Sequence, residues 1–310
     1  MVYVLNYGCR VNYYESEQIA AKFNGVVIVE KDIKKIKDAE PVFFVNSCAI
    51  TSKAEKGSRY AVSIIKKYHP NAEINFVGCA SKHQNKLNNA IIAKREKAFI
   101  KIQDGCADFC SYCIIPYIRS KICCRNVADV LAEIKAQPPV VKTIILSGIN
   151  LTYYKHLNEL SQNINKPFYF GSLEPNCITK DFLEVLHANS NFIPNFHVCL
   201  QSGCDETLSN MNRHYTTAEY LAKINLIRKY FPTARISTDI IVGFPTETDI
   251  NFDRTLHFIK IINFDKVHIF PFSPRPKTAA FLMKPITNRI IKNRVDKLKS
   301  LLYNDNEKKK

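Results

Sequence analysis

Cys106, Cys110 and Cys113 stand at C-x3-C-x2-C within the run KIQDGCADFCSYCIIPYIR, residues 101–119. A tight loop with that spacing turns three sulfurs toward one point, and cysteines clustered this way read as metal ligands rather than core residues. Three thiolates holding a four-iron cluster leave one iron without a protein ligand, so that iron can take a small molecule. A structural zinc ion closes its coordination with a fourth Cys or His. Soon after the loop there is only the adjacent pair Cys123–Cys124. A zinc knuckle is the rival reading.

Three further cysteines share one structural address. VYVLNYG, PVFFVNSC and INFVGC read as short buried strands. Cys9, Cys48 and Cys79 each stand at the C-terminal end of one. Helical patterns follow through Ser16, Ile19, Ala20 and Phe23, and over 51–68 with Thr51 as N-cap. Strands alternating with helices predict a small parallel α/β domain over residues 1–97. In open sheets of that kind ligands bind at the carboxyl edge, so the three cysteines converge there. The plainer reading is three separately buried thiols. SKHQNKLNNAIIAKREK, after Cys79, reads as a polar, basic linker, helical or irregular.

Strand-like runs then recur at 98–102, 143–148, 168–175, 196–203, 235–245 and 266–272, with helical patterns at 126–137, 179–189, 216–230 and 249–262. Six β-α units over residues 98–283 predict a partial barrel of parallel strands, with chemistry at the C-terminal strand ends. Polar residues gather at those ends: Ser147 and Gly148, Glu174, Gln201, Asp239 and the Gly243-Phe244-Pro245 turn. Gly148 lets backbone approach a ligand closely. Glu174 can accept from a ribose or an ammonium group. Gln201 and Asp239 can make further polar contacts, and Arg213 can pair with a carboxylate or phosphate. His69, His197 and His268 lack a metal-ligand spacing and are expected to be structural. Cys199 is expected in a strand and in the core, Cys204 at a turn, and Cys123 and Cys124 outside any ligand set. Residues 284–310 read as one helix ending in a frayed basic tail.

The 310 residues carry a net charge of +16, which favours a polyanionic partner such as nucleic acid. Eleven cysteines, with no apolar run of membrane-spanning length and no signal-peptide layout, predict a cytoplasmic chain with metal or redox chemistry, no membrane partner and no disulfide framework.

With Tyr112 before its last Cys, the loop resembles the cluster loop of radical S-adenosylmethionine (SAM) enzymes. Its flanks KIQDGC and YCIIPYIR resemble the methylthiotransferases that modify tRNA or a ribosomal protein. YGCRVNYYESE, VNSCAITSKAE and VGCAS resemble three segments of that family's N-terminal domain, and LQSGCDETLSNMNRHYT and ISTDIIVGFPTET resemble its barrel; the likeness runs over about residues 2–300. It implies an α/β chain in which the N-terminal domain precedes a radical SAM partial (β/α)6 barrel. It implies two [4Fe-4S] clusters. One, on Cys106, Cys110 and Cys113, binds and cleaves SAM and makes these the catalytic cysteines. The other, on Cys9, Cys48 and Cys79, carries or supplies sulfur.

TIILSGIN stands where the family's second SAM-binding strand lies, which assigns Ser147 and Gly148 to the amino-acid end of SAM. The implied reaction puts a methylthio group on carbon 2 of an adenine in a tRNA anticodon loop, with a flavodoxin- or ferredoxin-like protein as electron donor. GCRVNYYESE looks most like the branch that acts on N6-threonylcarbamoyladenosine at tRNA position 37. The branch that acts on isopentenyladenosine more often has Gln-Met in place of Arg10 and Val11. The family usually has a longer connection between Cys79 and Cys106 and continues into a small β domain, TRAM, which this chain is expected to lack. Isopentenyladenosine, a ribosomal protein, an iron–sulfur tRNA-binding protein without turnover, and a zinc-binding structural protein remain as alternatives.

Overall fold

The computed structural model describes residues 1–81, 93 and 95–307, with side chains as far as residue 302. Most of the expected linker after Cys79 and the last three lysines lie outside the described residues. By its contacts the chain forms two units. One is Met1–Ala107, Ile114–Ile149 and Asn163–Phe168; the other is Asp108–Cys113, Asn150–Gln162 and Tyr169–Lys310.

The first unit opens with β1 (Val2–Asn6), α1 (Arg10–Lys22), β2 (Val26–Ile28), β3 (Val42–Ser47), α2 (Ser52–Tyr68) and β4 (Glu73–Gly78). The strands form a parallel sheet in the order β2-β1-β3-β4. Its register sets Val4 beside Phe44, and Val45 beside Phe76. Side chains alternate between the two faces. Tyr3, Leu5, Phe43 and Val45 pack with Ala61 and Ile65 of α2, while Val4 and Val77 pack with Ile19 and Ala20 of α1. Each such large side chain removed from water contributes about 1.5–3 kcal/mol. Thr51 caps α2 by accepting the Ala54 N–H at 3.2 Å.

The unit continues through β5 (Lys97–Lys101), β6 (Gln103–Asp104), α3 (Ile115–Ile118), β7 (Cys123–Cys124), α4 (Val127–Ala136) and β8 (Thr143–Ser147). Strand β5 pairs in parallel with β8, and β6 pairs antiparallel with β7. Helix α1 also reaches this second sheet. Tyr13 stands edge-on to Phe99, and the Arg95 guanidinium lies over both rings, 3.9 and 4.5 Å from their centroids.

The remaining elements are α5 (Leu157–Asn163), β9 (Phe168–Phe170), α6 (Lys180–Ala188), β10 (Asn195–His197), α7 (Asp205–Asn210), α8 (Thr217–Tyr230), β11 (Arg235–Val242), α9 (Asp249–Ile262), β12 (Lys266–Pro271) and α10 (Asn288–Glu307). Strands β10, β11 and β12 form a parallel sheet in that order. Two strands are shorter than the runs 168–175 and 196–203 that the sequence suggests. Past them, pairing survives as the isolated parallel bridges Leu173–Val198 and Gln201–Ile240. Farther along, Pro175 has no N–H to give and Gln201 has φ of 70°, outside the β region. Cys199 lies past β10 rather than inside a strand, and is buried.

Along β11, Ile236, Thr238, Ile240 and Val242 are buried, while Ser237, Asp239 and Ile241 line the other, half-buried face. Helix α8 begins with a capping box in which Thr216 and Glu219 satisfy each other's backbone N–H groups. Helix α10 is tied down by Arg294, which reaches Glu247 and Asp249 at 2.8 Å each. No described helix is long and apolar enough to cross a membrane.

Candidate active site

In the second unit, Asp108–Cys113 is held from several directions. The Asn212 amide donates to the Asp108 and Phe109 carbonyls at 3.2 and 3.1 Å. Ser111 donates its N–H to the Met211 carbonyl at 3.0 Å and accepts from the Ala280 N–H at 2.7 Å. The Asp108 carboxylate accepts from Asn150 and from the Tyr153 hydroxyl at 2.7 and 2.6 Å. Phe109 has φ of 48°, a left-handed conformation sustained only where the surroundings impose it. The turn closes with Cys113 N–H on the Cys110 carbonyl at 2.9 Å. Cys106 belongs to the first unit, where its N–H is bonded to the Arg119 carbonyl at 3.2 Å.

A cleft beside this loop is lined by Asp108, Cys110, Thr152, Glu174, Asn176 and Arg213. Arg213 is its hub. Nη1 donates to Cys110 Sγ at 3.3 Å, Nη2 pairs with the Glu174 carboxylate, and Nε donates to the Tyr215 hydroxyl at 3.1 Å. Tyr215 in turn donates to the Leu200 carbonyl at 2.7 Å. Burial pushes the Cys110 thiol and the Glu174 carboxyl up, and Arg213 pulls both back toward ionisation.

The end of α7 aims Arg213. Asn212 has φ of 54°, its N–H bonds the Ser209 carbonyl, and the Arg213 N–H bonds the Leu208 carbonyl, both at 2.9 Å. This is a Schellman cap with Asn in the usual glycine place.

Gln201 and Asp239 are linked through backbone, Gln201 N–H to Asp239 carbonyl at 2.8 Å. The Asp239 side chain has partners that the sequence reading left structural. His197 Nε2 is 3.2 Å from Asp239 Oδ1 and its Nδ1 is 3.0 Å from Ser237 Oγ. The ligand-type atoms of His197, Cys199 and Asp239 all lie within 4.8 Å of one another. His197 and Cys199 come from the end of β10 and the residues just past it, and Asp239 from β11, so no local spacing announces the group. Ser147 and Gly148 lie in the first unit at the end of β8. The Ser147 hydroxyl is buried with no hydrogen-bond partner among the described residues.

Also in the first unit, Cys9, Cys48 and Cys79 follow β1, β3 and β4. Asn12 reaches two of them. Its Oδ1 accepts from Cys9 Sγ at 3.3 Å, and its Nδ2 donates to Asn46 Oδ1 at 3.1 Å and lies 3.9 Å from Cys79 Sγ. Cys48 Sγ accepts the Ile50 N–H at 3.4 Å. Gly78 turns the chain before Cys79 with φ of +87°, and a Cβ there would lie 2.2 Å from Asn46 Oδ1. Arg119, 4% exposed, donates from Nε to Cys79 Sγ at 3.2 Å. Neither Asn12 nor Arg119 stands out as functional in the sequence alone. The donor set of Cys9, Cys48 and Cys79 is all thiol, the soft ligand type that suits iron–sulfur clusters.

Two family models match. The Radical SAM superfamily covers residues 100–259, and Uncharacterized protein family UPF0004 covers residues 1–100. The chain is 31% identical to the Threonylcarbamoyladenosine tRNA methylthiotransferase MtaB of Chlamydia pneumoniae, over 93% of this chain and 78% of that protein. It is also 31% identical to the tRNA-2-methylthio-N(6)-dimethylallyladenosine synthase of Thermodesulfovibrio yellowstonii, over 90% and 77%. Among solved structures, the radical S-adenosylmethionine methyltransferase TsrM of Kitasatospora setae shares the fold. Its TM-score is 0.65 at 11% identity, covering 90% of this chain and 76% of that one. The pattern of cysteines, the parallel α/β sheets and these likenesses agree: the chain belongs to the methylthiotransferase family of the radical SAM superfamily.

Proposed function

We propose that this chain places a methylthio group on carbon 2 of N6-threonylcarbamoyladenosine at position 37 of tRNA. The observation that carries this reading is the second thiol site: Cys9, Cys48 and Cys79 follow three neighbouring strands of one sheet, and Asn12 reaches the sulfurs of Cys9 and Cys79. SAM cleavage needs only the Cys106, Cys110 and Cys113 loop, so a further all-thiol site fits an enzyme that must also hold sulfur. A [4Fe-4S] cluster on that loop and SAM supply the radical chemistry that an unactivated adenine carbon requires and no side chain provides.

The chain's own residues prepare the two ends. Arg213 favours the thiolate of Cys110 and pulls the Glu174 carboxyl, which burial raises, back toward ionisation, so Glu174 can accept from an amino group. Ser147 offers a buried hydroxyl without a partner among the described residues, and Gly148, Gln201 and Asp239 add contacts to SAM or the base. Asn12 orients Cys9, and Cys9, Cys48 and Cys79 hold a second four-iron cluster. A target base splayed from the anticodon loop suits such a site, and the excess of Lys and Arg supports salt-dependent contact with its phosphates. A flavodoxin- or ferredoxin-like protein delivers the electron.

The choice of threonylcarbamoyladenosine rests on GCRVNYYESE, with Arg10 and Val11, and is supported by relatives of that name that cover most of this chain. The test is nucleoside mass spectrometry of tRNA from a bacterial strain that lacks its own methylthiotransferases and expresses this chain. The methylthio form of threonylcarbamoyladenosine is expected. The methylthio form of isopentenyladenosine in its place, or unmodified tRNA beside soluble iron-loaded protein, overturns the reading.

A further inference from the structure

One residue that belongs to neither set of cysteines bonds a member of each, by its side chain to Cys79 and by its carbonyl to Cys106. Arg119 closes α3 just past the cysteine loop, and its carbonyl accepts the Cys106 N–H at 3.2 Å. Its guanidinium is buried. Nη1 and Nη2 take the two carboxylate oxygens of Glu15 at 2.7 and 2.8 Å, and Nη1 also reaches Asp104 Oδ1 at 2.9 Å. Lys101 Nζ bridges the same two carboxylates at 2.8 and 2.6 Å. Two cations and two anions therefore balance without any thiolate.

The planar fork is fixed by its paired bonds to Glu15, so the direction of Nε is fixed as well. It points at Cys79 Sγ, 3.2 Å away. A hydrogen bond of this kind to a cluster-ligating sulfur withdraws electron density from the iron and favours the reduced state.

We propose that Arg119 is the positioning residue of the N-terminal thiol site: its Nε holds the Cys79 sulfur and raises the reduction potential of the cluster bound there, while its carbonyl anchors Cys106. This rests on the reading that Cys9, Cys48 and Cys79 hold a cluster. The arrangement gives one residue a hand in both metal sites, through backbone at one and side chain at the other.

The test uses the full chain carrying Cys110→Ala, so that iron is confined to the N-terminal site, reconstituted without oxygen. Stepwise reduction by dithionite is followed by electron paramagnetic resonance, with iron and sulfide counted in parallel. Arg119→Gln is expected to keep its iron and to make reduction at least tenfold less favourable, a midpoint lower by about 59 mV for one electron. Arg119→Lys keeps a cation beside both carboxylates and is measured where the Gln variant does not fold; its midpoint is expected to fall by a smaller step. A folded, iron-loaded Arg119 variant with an unshifted midpoint overturns the proposal. A parent protein that has Arg119 intact and holds no iron overturns the cluster reading instead.

Discussion

Arg213 donates to the sulfur of Cys110 at 3.3 Å while its other nitrogen pairs with the carboxylate of Glu174, so a thiol and an acid share one cation. None of the three is well exposed, and each would be costly to leave alone.

Arg213→Met should therefore cost about 3–5 kcal/mol of stability, because Glu174 is left as a half-buried charge without its partner. Adding Glu174→Gln to that variant should restore most of the loss. Release of 5′-deoxyadenosine from SAM should stay at least tenfold low in both. Thermal unfolding beside a deoxyadenosine assay checks this. Recovery of SAM cleavage in the double variant would show the pair to be structural only.

Glu17 provides a pH signature away from the chemistry. Burial lifts its carboxyl from 4.5 to about 7, and the pull of Arg95, 3.1 Å away, only partly offsets that. Between pH 4.5 and 7 the folded protein therefore holds more protons than the unfolded chain, and stability falls as pH rises through that window. The loss should approach about 3 kcal/mol at 1.36 kcal/mol per pKa unit. Glu17→Gln should match the parent near pH 4.5 and unfold at a higher temperature at pH 8. Parallel melting curves across the window decide it.

Two glycines of the first unit should respond in opposite directions to the same substitution. Gly78→Ala forces a side chain into a left-handed turn and against Asn46, and should cost at least about 2 kcal/mol and lower iron retention at Cys79. Gly57→Ala lies inside α2, where the new Cβ meets Tyr7 at an ordinary 3.4 Å, and should add about 0.5–1 kcal/mol. Denaturant unfolding of the two variants, with iron counted after reconstitution, tests both.

The cysteines stood out because clustered thiols leave a mark in spacing and thiols at strand ends leave one in position. Cys106, Cys110 and Cys113 announce themselves locally, and Cys9, Cys48 and Cys79 follow recognisable buried strands. The strand–helix alternation gave the order of elements for the same reason, since buried strands are apolar runs and their helices are periodic. Asn12 and Arg119 were not legible as partners of thiols. One sits on an ordinary helical turn and the other ends a four-residue helix, and only the fold brings them to Cys9 and Cys79. His197 escaped because its companions Ser237 and Asp239 lie on the neighbouring strand, and pairing across a sheet leaves no periodicity in sequence.

The Schellman cap at Asn212 and the capping box at Thr216 stand on either side of Arg213, His214 and Tyr215. Both ends of that segment are fixed by backbone hydrogen bonds, so its length is as constrained as its composition. One residue inserted or removed there would turn Arg213 away from Cys110 while leaving α7 and α8 intact. Natural variation in this stretch should therefore run to substitutions and avoid gaps, even though Asn212, His214 and Thr216 are among its more exposed members.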